Sequence, residues 1–132
     1  MPRHMESKKG NRSQRATAVI TRDVLRGLMR VHILHHAAQG PIFGLEMIEE
    51  LRHHGYSIGP GTLYPMLHAL ETSGVLSSSQ VLVEGKNRRY YRSTKIGEAL
   101  LADLRLKVRE FVDEVLEESQ GARQSSRRKI RA

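Results

Sequence analysis

The stretch from Gly59 to Gly97 limits what this chain can become more than any other part of it. It opens with GPGTLYPMLHALETSGVL, where Leu63, Leu67 and Leu70 recur at helical spacing with Met66 beside them. Pro65 lacks an N–H and is not tolerated deep in a helix. The expected helix therefore begins near Gly61 or Thr62, leaves Pro65 in its first turn, and ends at Gly74. Val75–Val83 then favours a strand, Glu84-Gly85-Lys86-Asn87 a turn, and Arg88–Ser93 a return strand. A short amphipathic helix followed by a hairpin with a basic tip is the plan of a winged helix-turn-helix. In that plan one helix enters a DNA groove and the hairpin grips flanking phosphates.

The flanking segments complete this plan. Thr21 can cap a first helix beginning near Arg22, in which Leu25, Leu28, Met29, His32, Ile33 and His36 form one stripe. Gly40-Pro41 ends it. A second helix spans about Gly44 to His53, with Met47, Ile48 and Leu51 inward, Glu46, Glu49, Glu50 and Arg52 outward, and Gly55 after its end. Thr94 caps a last helix over 95–118. There Leu101, Leu104, Val108, Phe111 and Val115 follow a 3, 4, 3, 4 spacing, an a/d seam widened by Leu100, Val112 and Leu116. So apolar a helix at the end of a small domain needs more partner surface than the domain supplies, which points to a homodimer, with packing on the first helix as well.

The expected fold class is mainly α (α+β): a winged helix-turn-helix with a long C-terminal dimerisation helix. Its divisions are a basic, mostly disordered N-terminal arm (1–20), a winged-helix DNA-binding domain (21–93), the dimerisation helix (94–118) and a basic disordered tail (119–132). The arm and tail are polar and aperiodic, and bury too little apolar surface to offset their ordering entropy.

Charge gives the partner class. The 132 residues carry a net +8, but unevenly. Residues 1–41 have eight Lys/Arg and two acids, 42–118 have nine and twelve, and 119–132 have five and none. Five of the nine bases in the middle fall within Lys86–Lys95, which points to a polyanion rather than to tails that merely aid solubility. The chain has no Cys, hence no disulfide framework, thiolate site or thiol nucleophile. No nucleophile–base set, P-loop or dinucleotide fingerprint is present, so no enzyme and no cofactor are expected. No apolar run approaches the ~20 residues that span a bilayer, and the N-terminus lacks a signal-peptide core. A cytoplasmic location without membrane association follows by elimination.

At this point the chain resembles the PadR family of bacterial transcriptional regulators, especially the short members with one C-terminal helix. The resemblance is carried by LRGLM…IL (Leu25–Leu34), GPIFGLEMIEEL (Gly40–Leu51), PGTLYPMLHALETSGVL (Pro60–Leu76) and NRRYYRSTKIG (Asn87–Gly97). It covers roughly residues 24–116 and is specific in pairing GTLYP with RRYYR. It implies a dimer that represses promoters on double-stranded DNA and is often released by a small-molecule effector or other signal. The last helix has a single aromatic residue, Phe111, so a pocket of stacked aromatic rings is not expected.

On the third helix, Gly61, Thr62, Tyr64, Pro65 and His68 face outward. Gly61 allows close backbone approach to phosphate, and Thr62 and Tyr64 can donate to phosphate or base. Tyr64 has an alternative: a ring packed on the strands with its hydroxyl in water. No Arg, Asn or Gln stands on this face to make bidentate base contacts, so shape and apolar contact are expected to carry selectivity. Lys86, Arg88 and Arg89 sit at the wing tip for phosphates, and one of Tyr90 and Tyr91 packs inward. Arg3, Lys8, Lys9, Arg12 and Arg15 can follow the DNA backbone or enter the minor groove. No metal site is expected. His32 and His36, four residues apart, are the pair that could share an ion, with Glu110 or Asp113 to complete it; otherwise they are hydrogen-bonded histidines or a pH-sensitive element. His53 and His54 answer the negative end of a helix dipole. The alternative to a sequence-specific repressor is a winged-helix module for protein interaction or non-specific nucleic-acid binding.

Overall fold

The structure, a computed structural model, describes residues 3–117, with side chains from residue 10 onward; the tail at 119–132 lies outside them. The order is α1 (Arg3–Gln39), β1 (Ile42–Phe43), α2 (Gly44–His53), α3 (Pro60–Thr72), β2 (Leu76–Val83), β3 (Lys86–Ser93) and α4 (Lys95–Val115). The three strands form one antiparallel sheet in the order β1-β3-β2. This is the mainly α winged helix-turn-helix expected, with a long C-terminal helix.

Its core is assembled from every element. Ile33 and Leu34 of α1, Met47 and Leu51 of α2, and Leu63 and Leu67 of α3 are among its most deeply buried side chains, joined by Leu76 of β2 and Tyr91 of β3. Burying an aliphatic side chain of this size contributes about 1.5–3 kcal/mol. Both helices of the helix-turn-helix stop as their glycines require. Gly55 and Gly74 have φ of +90° and +82°. After α2, the Gly55 and Tyr56 N–H groups donate to the Arg52 and Leu51 carbonyls. After α3, those of Gly74 and Val75 donate to Glu71 and Leu70, the same Schellman arrangement. Arg52 Nε donates to the Ile58 carbonyl at 2.9 Å and closes the loop between the two helices.

Thr94 anchors α4 twice. Its Oγ1 accepts from the Gly97 N–H at 3.1 Å and donates to the Gly74 carbonyl at 2.6 Å. Gly97 lies so close to the Val75 carbonyl that any Cβ there would collide with it. The start of α4 is thereby seated on the turn that leaves α3.

Three expectations are corrected. The first helix does not start near Arg22 behind a capping Thr21; it runs from Arg3 without a break, through the segment expected to be a disordered arm. Thr21 Oγ1 donates to the Thr17 carbonyl at 2.9 Å, as Thr17 does to Ser13, so both hydroxyls bond back along a continuous helix. No Pro interrupts residues 3–39. Second, α3 begins at Pro60, which puts Pro65 in the second turn. Pro65 cannot donate to the Gly61 carbonyl, and Gly61 itself is exposed, leaving that carbonyl to solvent. Third, the hairpin turn is two residues long. Glu84 and Gly85 have φ of +50° and +78°, the type I′ pattern, and Lys86 and Asn87 already pair with Val83 and Leu82.

Candidate nucleic-acid interface

The exposed side of α3 and the wing share one surface. Tyr64, 47% exposed, lines an open cleft together with Phe43, Asn87, Arg88 and Arg89. Its ring is positioned by Gly44, the first residue of α2: a Cβ there would stand 2.5 Å from Tyr64 Cε1. The ring thus rests against the start of α2, in a cleft that Arg88, Arg89 and Tyr91 of β3 also line.

Strand alternation orients the wing. Tyr91 is buried at 6% exposure and Tyr90 half-buried, the inward–outward split expected of the pair. Burial raises the Tyr91 hydroxyl above its usual range, opposed by Arg89 and reinforced by Glu71 and Tyr64. On the outer face the Arg88 guanidinium lies 4.9 Å from the centre of the Phe43 ring, and that ring meets Tyr90 edge-on at 5.5 Å. On the inner face Arg89 Nη1 reaches Ser78 Oγ at 3.3 Å and Glu71 Oε1 at 4.0 Å. Only Lys86 therefore stands beside the turn. Arg88 and Arg89 are held farther along β3, on opposite faces, by an aromatic ring and a carboxylate.

Gly61, Thr62 and Pro65 line a second, smaller cleft. Its opposite wall is Arg26 and Arg30 of α1, two bases that the sequence alone had left unassigned. The available signal was their spacing: Arg22, Arg26 and Arg30 stand four apart, hence along one helix face. That face, one turn farther on, buries Ile33 and Ala37, so α1 brings the arginines against the first turns of α3. His68 is exposed on α3 and lines neither cleft as described. Arg12 and Arg15 are exposed on the N-terminal part of α1, while Arg3, Lys8 and Lys9 carry no described side chains.

A second surface is apolar. Leu28 and Val31 of α1 line a groove with Val108 of α4. It continues along Val108, Val112 and Asp113 as an open trough of about 490 Å³. Val108 is 37%, Phe111 58% and Val115 52% exposed. Leu104 is half-buried and packs against the core. Leu101 differs from the rest of the expected seam: at 2% exposure it belongs to the protomer's own core. Arg105 Nη2 and His35 Nδ1, 3.1 Å apart, link α4 to α1 across this surface.

His32 and His36 sit half-buried on α1, against α2 rather than against Glu110 or Asp113 of α4, and His32 also borders the groove of Leu28, Val31 and Val108. Their neighbours are His54 and Glu50. Burial, then the adjacent His54, His36 and His35, hold the His32 imidazole below its usual range, and Glu50 opposes them. No helix among the described residues is long and apolar enough to cross a membrane.

This geometry has relatives. The model of the transcriptional regulator PadR-like family matches residues 33–103. The chain is 47% identical over 95 residues to a Mycobacterium tuberculosis protein named transcriptional regulator Rv3488, covering 72% of this chain and 89% of that one. Among solved structures, a PadR family transcriptional regulator from Eggerthella lenta is similar with a TM-score of 0.67 and 27% identity, over 80% of this chain and 93% of that one. A Streptococcus mutans protein reaches the same TM-score at 28% identity, over 71% and 88%. The family match spans more than half of the chain, and the mycobacterial relative covers most of both sequences: the chain belongs to the PadR-like family of transcriptional regulators.

Proposed function

We propose that two copies of this chain bind a palindromic double-stranded DNA operator and repress the promoter that contains it. The observation carrying this reading is the convergence of Tyr64, Arg88 and Arg89 on one cleft, beside a second cleft where Arg26 and Arg30 flank Gly61 and Thr62. Each protomer would place the first turns of α3 in a major groove, where free N–H groups and the positive helix end meet phosphate. Thr62 and Tyr64 then offer hydroxyls to phosphate or base edges, and His68 lies one to two turns farther along the same helix. Gly61 lets the backbone come close, and Pro65 presents an apolar ring to the groove. Lys86 and Arg88 hold phosphates from the wing, Arg26 and Arg30 from α1. Arg89 joins them by exchanging its weak pairing with Glu71 for a phosphate oxygen.

The homodimer would form through the apolar surface of α1 and α4. Leu104, Val108, Phe111 and Val115 make the seam, with Leu101 beneath it as internal support. An effector or other signal that altered the packing there would change the separation of the two α3 helices and release the DNA without touching the DNA face. No catalytic role is proposed.

The test is the salt dependence of operator binding. Replacing Lys86 and Arg88 by Ala should weaken binding about 10–100-fold near physiological salt and flatten log K against log[salt] by about 0.9 for each phosphate no longer neutralised. An unchanged slope would remove the wing from the phosphates. The alternative, a module for protein interaction or sequence-independent nucleic-acid binding, draws on Val81 and Leu82, 43% and 69% exposed on the wing. It draws equally on the absence of Arg, Asn and Gln from the outer face of α3. Affinity indifferent to DNA sequence would favour it.

A further inference from the structure

Four side chains from two helices meet at a place away from the DNA face, where only His32 also borders the apolar groove of Leu28, Val31 and Val108. His32 and His36 stand four residues apart on α1; Glu50 and His54 stand four residues apart at the end of α2. One ligand atom from each of the three histidines lies within 4.8 Å of the other two. Glu50 Oε1 is 3.5 Å from His36 Nε2 and 3.1 Å from His54 Nε2. His32 and His54 stack with ring centroids 5.0 Å apart, and Tyr56 meets His32 edge-on at 5.4 Å. His32 joins through ring contacts, with no hydrogen bond to its nitrogens among the described residues.

The donor set is that of a transition-metal site. Two histidines at i, i+4 on one helix face are the spacing by which helices hold zinc. Bonds of about 2.0–2.2 Å at tetrahedral angles put neighbouring donor atoms about 3.3–3.6 Å apart. Glu50 already stands at about that distance from two imidazoles, and small side-chain rotations bring in the third. A carboxylate paired with two histidines, hydrogen-bonded to His54 and 3.5 Å from His36, explains Glu50, His36 and His54, but it gives no reason for a third imidazole stacked at the same point. Imidazole donors suit zinc-class ions, whereas magnesium and calcium seek oxygen. The two adjacent histidines touch the cluster only through ring edges, His35 against His36 and His53 against His54, and the nitrogens of His35 face Arg105 and Gln39.

We infer that His32, His36, His54 and Glu50 form a binding site for a divalent transition-metal ion of the zinc class, which clips α1 to α2. Such a clip would fix the helix-turn-helix against the helix that carries the Arg26–Arg30 row. The site does not depend on the DNA-binding proposal, so it is tested on the full chain without DNA.

The measurement is a titration with cobalt(II), followed by displacement with zinc. One cobalt ion per protomer should bind, with visible ligand-field bands of four-coordinate intensity that zinc abolishes and magnesium leaves intact. His36→Ala and His54→Ala should each weaken binding by at least about 100-fold, since loss of an outer-shell partner alone costs roughly 10–100-fold. His35→Ala and His53→Ala should leave it unchanged. His54 is exposed, so its variant keeps the fold, and zinc should raise the melting temperature of the native chain but not of His54→Ala. Weak six-coordinate bands, or undiminished binding in both His36→Ala and His54→Ala, would overturn the site and reduce the cluster to hydrogen-bonded histidines.

Discussion

On the α3–wing side most of the bases have a neighbour: Arg88 rests on Phe43, Arg89 reaches Ser78 and Glu71, and Arg26 and Arg30 border α3, with Val81 and Leu82 as exposed apolar residues of the wing. On the α1–α4 side, Leu28, Val108, Phe111 and Val115 are open to water, crossed by one Arg105–His35 bridge. The first surface is complete within one protomer and asks for a polyanion. The second is incomplete within one protomer and asks for apolar cover. Because α1 borders both, its basic face at α3 and its apolar face at α4, a change in how two copies pack would, under the proposed function, reach the proposed DNA face through one continuous helix.

The sharpest way to break this contrast is to charge the apolar side. Leu104→Glu with Val108→Glu should convert the dimer to monomers in analytical ultracentrifugation. It should also lower operator affinity by about 10²–10⁴-fold, the contribution of a tethered second half-site. A dimer that persists would put the seam elsewhere. A smaller effect separates position from charge on the DNA side. Gly44→Ala leaves every charge in place but drives a methyl group into the Tyr64 ring. Operator affinity should fall about 5–30-fold, equivalent to about 1–2 kcal/mol; unaltered affinity measured by fluorescence anisotropy would take Tyr64 out of the interface. The smallest change asks whether α1 belongs to both surfaces. Arg26→Ala should reduce the salt slope by about 1 per protomer, with no change in the dimer. An unchanged slope would confine the DNA face to α3 and the wing.

Much of the fold was legible because its signals are local. Gly55 and Gly74 terminate helices through a backbone conformation that other residues resist, Thr94 caps through its own hydroxyl, and Leu63, Met66 and Leu67 carry the inner face of α3 by spacing alone. The errors arose where a local signal competed with a longer continuity. Thr21 has the chemistry of a cap, but a Thr within a helix can bond back one turn, and no Pro stops α1 before Pro41. Glu84-Gly85 suffices for a tight turn, so the polar residues after it were free to pair as strand. Leu101 falls on the heptad pattern, yet periodicity does not say which of two partners a face will meet, and the chain's own core reaches it first. The residues proposed to face DNA on α3 and the wing could be named from the sequence because the two elements are contiguous in it. Arg26 and Arg30 beside Thr62, and Glu50 and His54 beside His32, come together only through the packing of α1 on α2 and α3, which no single stretch of sequence encodes.

Because the chain contains no cysteine, one introduced thiol labels a single known position per protomer. A spin label on His68→Cys, an exposed position of α3, lets the electron–electron distance between two recognition helices be measured in solution. A narrow distribution consistent with recognition helices about 34–36 Å apart, one helical turn of DNA, is the expected result. Absence of dipolar coupling, or a separation that no two successive major grooves can accept, would contradict it.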